Sequence, residues 1–175
     1  MPNLFTWQNI PGWFDFLDIY DAAIARASNG AKFVECGTYL GRSTVYMGTQ
    51  IAASGKSISF DGIDNFSFNI TPPQTQTFID NSPAAGHVNL VVNDQLTQAA
   101  NYADVSLDFV FLDSDHTYDG TRNAILAFLP KIKSGGVIGG HDCEIRGNFP
   151  DVIRAVRDTL PGFSLDRRSF LYVVP

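Results

Sequence analysis

The sequence predicts a doubly wound α/β fold, a mostly parallel sheet with helices on both faces. Short apolar runs alternate with stretches of helical periodicity along the chain, the pattern of parallel strands joined by helical crossovers. The runs are apolar almost throughout, as in Leu107–Asp113, and strands buried on both faces read that way. The last two runs, Phe163–Asp166 and Ser169–Val174, are separated only by Arg167-Arg168. So short a connection permits only an antiparallel pair. The chain has 175 residues, enough for one domain, 1–175, with a full hydrophobic core.

The elements follow in order. Residues 12–29 read as a helix, with Phe14, Leu17, Tyr20, Ala23 and Ile24 at helical spacing and Asn29-Gly30 as its stop. A first strand covers 32–36 and ends at Gly37. A helix over 41–53 puts Val45, Gly48, Ile51 and Ala52 on one face. The second strand is 57–64. The polar, Pro-containing stretch 65–86 holds a short helix around 73–81. The third strand is 87–92, followed by a helix over 95–102. Leu107–Asp113 is the fourth strand. A helix over 118–132 buries Ile125, Phe128, Leu129 and Ile132, and Ser134-Gly135-Gly136 ends it. The fifth strand is 137–140. Pro150 opens a last helix with Val152, Ile153, Val156 and Leu160 inward, and Pro161-Gly162 breaks it before the terminal hairpin.

Twelve Lys and Arg against eighteen Asp and Glu give a net charge of −6. Phosphate backbones are bound by basic surfaces, and Arg167-Arg168 reads as a solvated turn. A small or neutral substrate is expected, with no nucleic acid. No apolar run approaches the roughly 20 residues of a membrane span. The opening MPNLFTWQNIPGW shows no secretory signal. Cys36 and Cys143 lack metal-type spacing and are expected as reduced thiols of a cytoplasmic protein.

The segment Val34-Glu35-Cys36-Gly37-Thr38-Tyr39-Leu40-Gly41-Arg42-Ser43 joins the first strand to its helix. Glycines there let the backbone approach a ligand and aim helix N–H groups at an anion. The spacing is neither GxGxxG nor a P-loop. Glu35, two residues before the first glycine, suits a ligand carrying an amino group. The same loop also reads as a plain strand–helix turn with two glycines.

VECGTYLGRST resembles the first motif of class I S-adenosylmethionine methyltransferases. Asp108–Gly120 (DFVFLDSDHTYDG) and Gly135–Asp142 (GGVIGGHD) resemble a small single-domain family within that class, and the resemblance runs over nearly the whole chain. It implies a three-layer Rossmann-like sheet of seven strands in the order 3-2-1-4-5-7-6, the last strand antiparallel. The cofactor, S-adenosylmethionine, would lie across the carboxyl ends of strands one to four. By this resemblance Glu35, Gly37, Thr38, Tyr39, Gly41 and Ser43 hold its amino-acid part. Asp64, with Asn65 beside it, meets the ribose and Asp94 the adenine, and Asp113 is a further cofactor-binding residue. Asp64 has a second reading as a turn or cap residue, and Asp94 as the N-cap of the next helix. Pro11-Gly12-Trp13 resembles the family's N-terminal segment, so residues 1–30 would pack near the cofactor mouth. Strand four would also keep Cys36 and Cys143 about 10 Å apart, too far for a disulfide.

Asp113, His116, His141 and Asp142 fall at the ends of strands four and five. Neighbouring strands lie about 5 Å apart, so these side chains can converge. Two carboxylates and an imidazole suffice for a divalent ion, here Asp113, His141 and Asp142. Methyl transfer to oxygen requires the acceptor hydroxyl to lose a proton. A cation lowers that pKa, and His116 is the candidate catalytic base. Metal-dependent O-methyltransferases of the catechol and macrolide-sugar types resemble this arrangement. They carry an acid-acid or acid-amide pair where this chain has His141-Asp142, which points from Mg towards Mn or Zn, or to no metal. His141 also reads as a structural histidine. Asp115 and Asp119 also read as helix caps, and Tyr118 as core or pocket wall.

The expected activity is O-methylation of a small hydroxylated metabolite or sugar. Two alternatives are a nicotinamide-dependent oxidoreductase, which the missing GxGxxG disfavours, and a non-catalytic S-adenosylmethionine-binding subunit. The stretch 65–82 is the candidate cofactor cover, with Trp7, Trp13 and Phe66 as candidate pocket aromatics. A chain without a lid insertion suggests a homodimer that borrows a wall from its partner.

Overall fold

The computed structural model describes residues 5–68 and 70–175; residues 1–4 and Asn69, within the candidate cover, lie outside that description. The strands are β1 (Ala31–Cys36), β2 (Ile58–Asp64), β3 (Asn89–Val92), β4 (Leu107–Leu112), β5 (Ile132–Gly140), β6 (Ser164–Asp166) and β7 (Ser169–Val173). The helices are α1 (Leu17–Arg26), α2 (Arg42–Ser54), α3 (Pro72–Asp80), α4 (Gln95–Ala99), α5 (Tyr118–Phe128) and α6 (Pro150–Thr159). The sheet order is β3-β2-β1-β4-β5-β7-β6. Strands β1 to β5 run parallel, and β7 runs antiparallel to both β5 and β6. The expected seven-stranded, doubly wound architecture is therefore the observed one.

Successive strand residues face opposite sides, and both sides are covered. Phe33, Phe109 and Phe111 pack with Tyr20 of α1 and Met47 and Ile51 of α2. Val34, Cys36, Val110 and Leu112 pack with Ile125 and Phe128 of α5 and Val152, Ile153 and Val156 of α6. A smaller cluster of Ile10, Val45, Ile79 and Ala84 lies under α3. Cys36 and Cys143 are buried and free. Among the described residues no helix is long and apolar enough to cross a membrane.

Three elements depart from expectation. The first helix begins at Leu17 rather than residue 12. The residues just before it form no helix: Arg42 Nη1 reaches across to the Gly12 carbonyl (2.7 Å) and Gly12 sits at φ 141°. Helix α4 stops at Ala99, well short of residue 102. Strand β5 begins at Ile132, inside the expected helix and its glycine stop. Pro130 has no N–H to continue the α-helical ladder, so the chain passes through a 3₁₀ turn at Leu129–Lys131 and pairs at once with β4. Gly135 (φ 78°) then lies where the pairing register with β4 shifts.

Candidate active site

Register lines up the site. Cys36 pairs with Leu112, and Leu112 with Gly140. The next residues, Gly37, Asp113 and His141, stand side by side at the carboxyl ends of three adjacent strands. The ladder runs one step past the strands: Asp113 N–H donates to the Cys36 carbonyl (2.8 Å) and His141 N–H to the Leu112 carbonyl (3.1 Å).

Gly37 (φ 93°), Tyr39 (φ 50°) and Gly41 (φ 90°) turn the β1–α2 loop through left-handed backbone. A Cβ on Gly37 would lie 2.0 Å from the Asp113 carbonyl oxygen, so the loop rests directly on the end of β4. Gly41 caps α2 without a side chain, which leaves the first-turn N–H groups turned toward the loop.

Glu35 lies beneath the loop rather than standing open in it. It is 1% exposed. Alternation along β1 turns it under the sheet. There Tyr20 Oη donates to Oε1 (2.8 Å), Ser43 Oγ to Oε1 (2.5 Å) and Thr44 Oγ1 to Oε2 (2.5 Å). Ser43, also expected at the ligand, is spent on this network and is buried. Burial raises the Glu35 carboxyl from its ordinary 4.5 to about 7, against the three hydroxyls, which lower it. A raised folded-state value stabilises fully below the ordinary value, and that contribution is lost as pH climbs through 7. The shift corresponds to about 3 kcal/mol. Glu35→Gln is expected to abolish the decline between pH 4.5 and 7; urea unfolding across that range measures it, and an unchanged slope excludes Glu35 as its source.

Asp64 serves the loop. Its Oδ2 accepts from the N–H groups of Thr38 (2.9 Å) and Tyr39 (2.9 Å), and its Oδ1 from Phe66 N–H (2.7 Å). A carboxylate offers about four acceptor positions, so Oδ1 keeps one for a ligand. Asp94 Oδ1 caps α4 through Leu96 and Thr97, the cap role weighed above. Thr38 is buried, Asn65 closes an Asx turn on Ser67 N–H (3.1 Å), and the Tyr39 carbonyl accepts from Thr75 Oγ1 (2.7 Å). Trp13 is exposed beside Tyr39, while Trp7 is packed edge-on against Phe14 and Tyr46. Tyr118 hydrogen-bonds Asp158 (2.8 Å), and Thr117 caps α5 with Asp115 bracing it.

The second constellation does assemble. Asp113, His141 and Asp142 each bring one donor atom within 4.8 Å of the others. His116 Nε2 lies 3.0 Å from Asp142 Oδ2 and 3.5 Å from Asp113 Oδ1. Nε2 is buried and faces these two carboxylates, though neither contact has hydrogen-bond geometry. The Asp113 and Asp142 carboxylates raise His116 to about 9, against burial. Burial favours protonated Asp142, but His116 and His141 outweigh it and hold this carboxyl well below the usual range. Asp142 sits at φ 53°, a conformation costly for a non-glycine residue. Phe149 stacks on His116 at 4.2 Å between ring centres.

Three contributors escaped the sequence reading. Asp15 Oδ1 lies 2.8 Å from His141 Nε2. Arg168 Nη2 donates to Asp142 Oδ1 (2.7 Å), and Arg168 also pairs with Glu144. Arg167 bonds the Asp15 carbonyl (3.3 Å) and Asp18 (3.2 Å). The pair read as a solvated turn therefore grips the site. Nothing local marks such residues, since their partners lie over 20 to 150 positions away.

A glycine turn after the first strand and an acid–histidine cluster at the fourth and fifth define a doubly wound α/β enzyme of the nucleoside-binding type. The methyltransferase domain family model matches residues 34–143, and the chain belongs to that family, the S-adenosylmethionine-dependent methyltransferases. No curated protein matches it. Among solved structures it is similar to CalS11, a TDP-rhamnose 3'-O-methyltransferase of calicheamicin biosynthesis, with 14% identity over 90% of this chain and 76% of that one and a TM-score of 0.68. Cofactor-bound Rv0187 from MTB is 19% identical over 95% and 84%, TM-score 0.69. An S-adenosylmethionine-dependent O-methyltransferase from Thermotoga maritima is 12% identical over 94% and 67%, TM-score 0.64. At these identities the likeness is one of fold.

Proposed function

We propose that the chain transfers the methyl group of S-adenosylmethionine to a hydroxyl of a small metabolite or sugar, with a divalent cation at Asp113, His141 and Asp142 and with His116 as base. One observation carries this. A buried imidazole nitrogen, two carboxylates and a second imidazole meet beside the glycine loop. That donor set, mixed nitrogen and oxygen with a negative balance, fits Mn or Zn better than Mg. The O-methyltransferases among the similar structures support an oxygen acceptor.

The α2 N-terminus would take the cofactor's carboxylate, and the open position on Asp64 Oδ1 a ribose hydroxyl. The cation, when bound, neutralises the carboxylates and lowers the pKa of the acceptor hydroxyl. Between bare carboxylates His116 is a cation at neutral pH. With that charge offset, His116 would be able to take a proton. S-adenosylmethionine would supply the methyl group, and His116 Nε2 would take the hydroxyl proton as the acceptor oxygen displaces the sulfur.

Calorimetric titration with S-adenosylhomocysteine, with and without chelator, tests the reading. Binding is expected in both conditions, with methyl transfer to a hydroxylated acceptor lost only in chelator. No binding at millimolar ligand overturns the cofactor site. Transfer that persists in chelator removes the cation.

A further inference from the structure

His141 is held from outside the motif that carries it. Its Nε2 lies 2.8 Å from Asp15 Oδ1. An ionised carboxylate only accepts, so the hydrogen of that bond sits on Nε2. In the neutral ring Nδ1 then carries the lone pair. It faces Asp142 Oδ2 at 3.6 Å and Asp113 Oδ1 at 4.0 Å. Those separations exceed a hydrogen bond. They approach the spacing of about 3–3.5 Å between donor atoms around one ion with bonds near 2.1 Å.

Two carboxylates thus compete for the single N–H of His141. Were Asp142 to win, Nδ1 would carry hydrogen toward the site and be lost as a donor. Asp15 wins on distance. The next residue, Phe16, packs on the imidazole at 5.0 Å between centres and is itself wedged against Phe111 (4.5 Å) and Tyr20 (5.2 Å). Arg167 holds the Asp15 backbone from the β6–β7 turn, and Arg168 in the same turn holds Asp142. The chain's two ends close around the site formed by its middle.

We propose that Asp15 is a positioning residue that fixes His141 as the Nε2–H tautomer and presents its Nδ1 lone pair to Asp113 and Asp142, with Phe16 setting the ring plane. What Nδ1 is presented to rests on the cation proposed above; the tautomer does not. Partners of this kind orient metal-binding histidines, and their loss costs 10- to 100-fold in affinity, about the effect expected here.

Asp15 is 51% exposed, so its replacement leaves the core intact. Histidine-selective ¹⁵N NMR of the metal-free protein, in alkaline buffer where the rings are neutral, is expected to show His141 protonated on Nε2. Asp15→Ala shifts the proton toward Nδ1. Asp15→Asn, whose amide oxygen still accepts, retains the original tautomer. In a Mn²⁺ titration followed by electron paramagnetic resonance, Asp15→Ala binds about 10- to 100-fold more weakly and Asp15→Asn falls between it and the parent, with S-adenosylhomocysteine affinity equal in all three. A tautomer shift in protein that binds no Mn²⁺ supports the positioning role and removes the cation. Asp15→Ala with the parent's tautomer and the parent's Mn²⁺ affinity overturns the proposal.

Discussion

Replacing Gly37 with alanine is expected to destabilise the protein by about 3–5 kcal/mol, at the far end of single-substitution effects. The new Cβ would stand 2.0 Å from the Asp113 carbonyl oxygen and 3.0 Å from Ser114 Cα. Both are backbone atoms, so no side chain can rotate away. The φ of 93° adds its own cost for a residue with a Cβ. The strand ends cannot part freely, because Asp113 N–H is bonded to the Cys36 carbonyl. Relief must displace either the loop or Asp113, so S-adenosylhomocysteine binding falls with stability. Gly55→Ala is the control. Gly55 also has a positive φ, of 65°, but open space around it, and costs about 1 kcal/mol. Urea unfolding of the two variants decides the matter. Equal losses would mean that the close approach of β1 and β4 imposes no constraint.

His116→Ala is expected to lower kcat by about 10²- to 10⁴-fold, the range for removal of a general base. S-adenosylhomocysteine affinity should stay at the parent's value, since His116 follows β4 and its ion pairs are with Asp113 and Asp142 rather than with the glycine loop. Its side chain is 28% exposed and packs on Phe149 rather than in the core, so the variant should fold. Stopped assays with a hydroxylated acceptor, beside calorimetry for the cofactor product, separate the two quantities. Unchanged turnover would take the proton-accepting role away from His116. A parallel loss of affinity would make its role structural.

Most of the architecture could be read from local pattern. Strands β1, β2 and β4 lie within a residue or so of their apolar runs, because burial on both faces leaves an unbroken signal. The α5–β5 junction was misplaced because Ser134-Gly135-Gly136 resembles a helix stop. Tertiary pairing uses the same residues within a strand and lets the glycines absorb a register shift. The helix expected from residue 12 fails for a similar reason: its periodicity is real, but Arg42, thirty positions on, claims the Gly12 carbonyl.

The site divides along the same line. Asp113, His116, His141 and Asp142 could be grouped from sequence because parallel neighbours bring equivalent strand ends together, and a motif that spans those ends reports on shared space. Glu35 could not be placed. A carboxylate two residues before a glycine turn looks alike whether it faces a ligand or three buried hydroxyls, and only the orientation of β1 against Tyr20, Ser43 and Thr44 settles which.

By itself, then, the sequence determined the number and type of the strands, the glycine turn after β1 and the acid–histidine cluster, while the order of the strands in the sheet came from the family resemblance. Each depends on residues near one another along the chain or on the fixed geometry of adjacent strands. The tertiary structure alone decided that Glu35 is a core residue and that Asp15, Arg167 and Arg168 grip His141 and Asp142. Those contacts join the two ends of the chain to its middle, and pairings over such separations leave no periodicity or spacing in a single sequence.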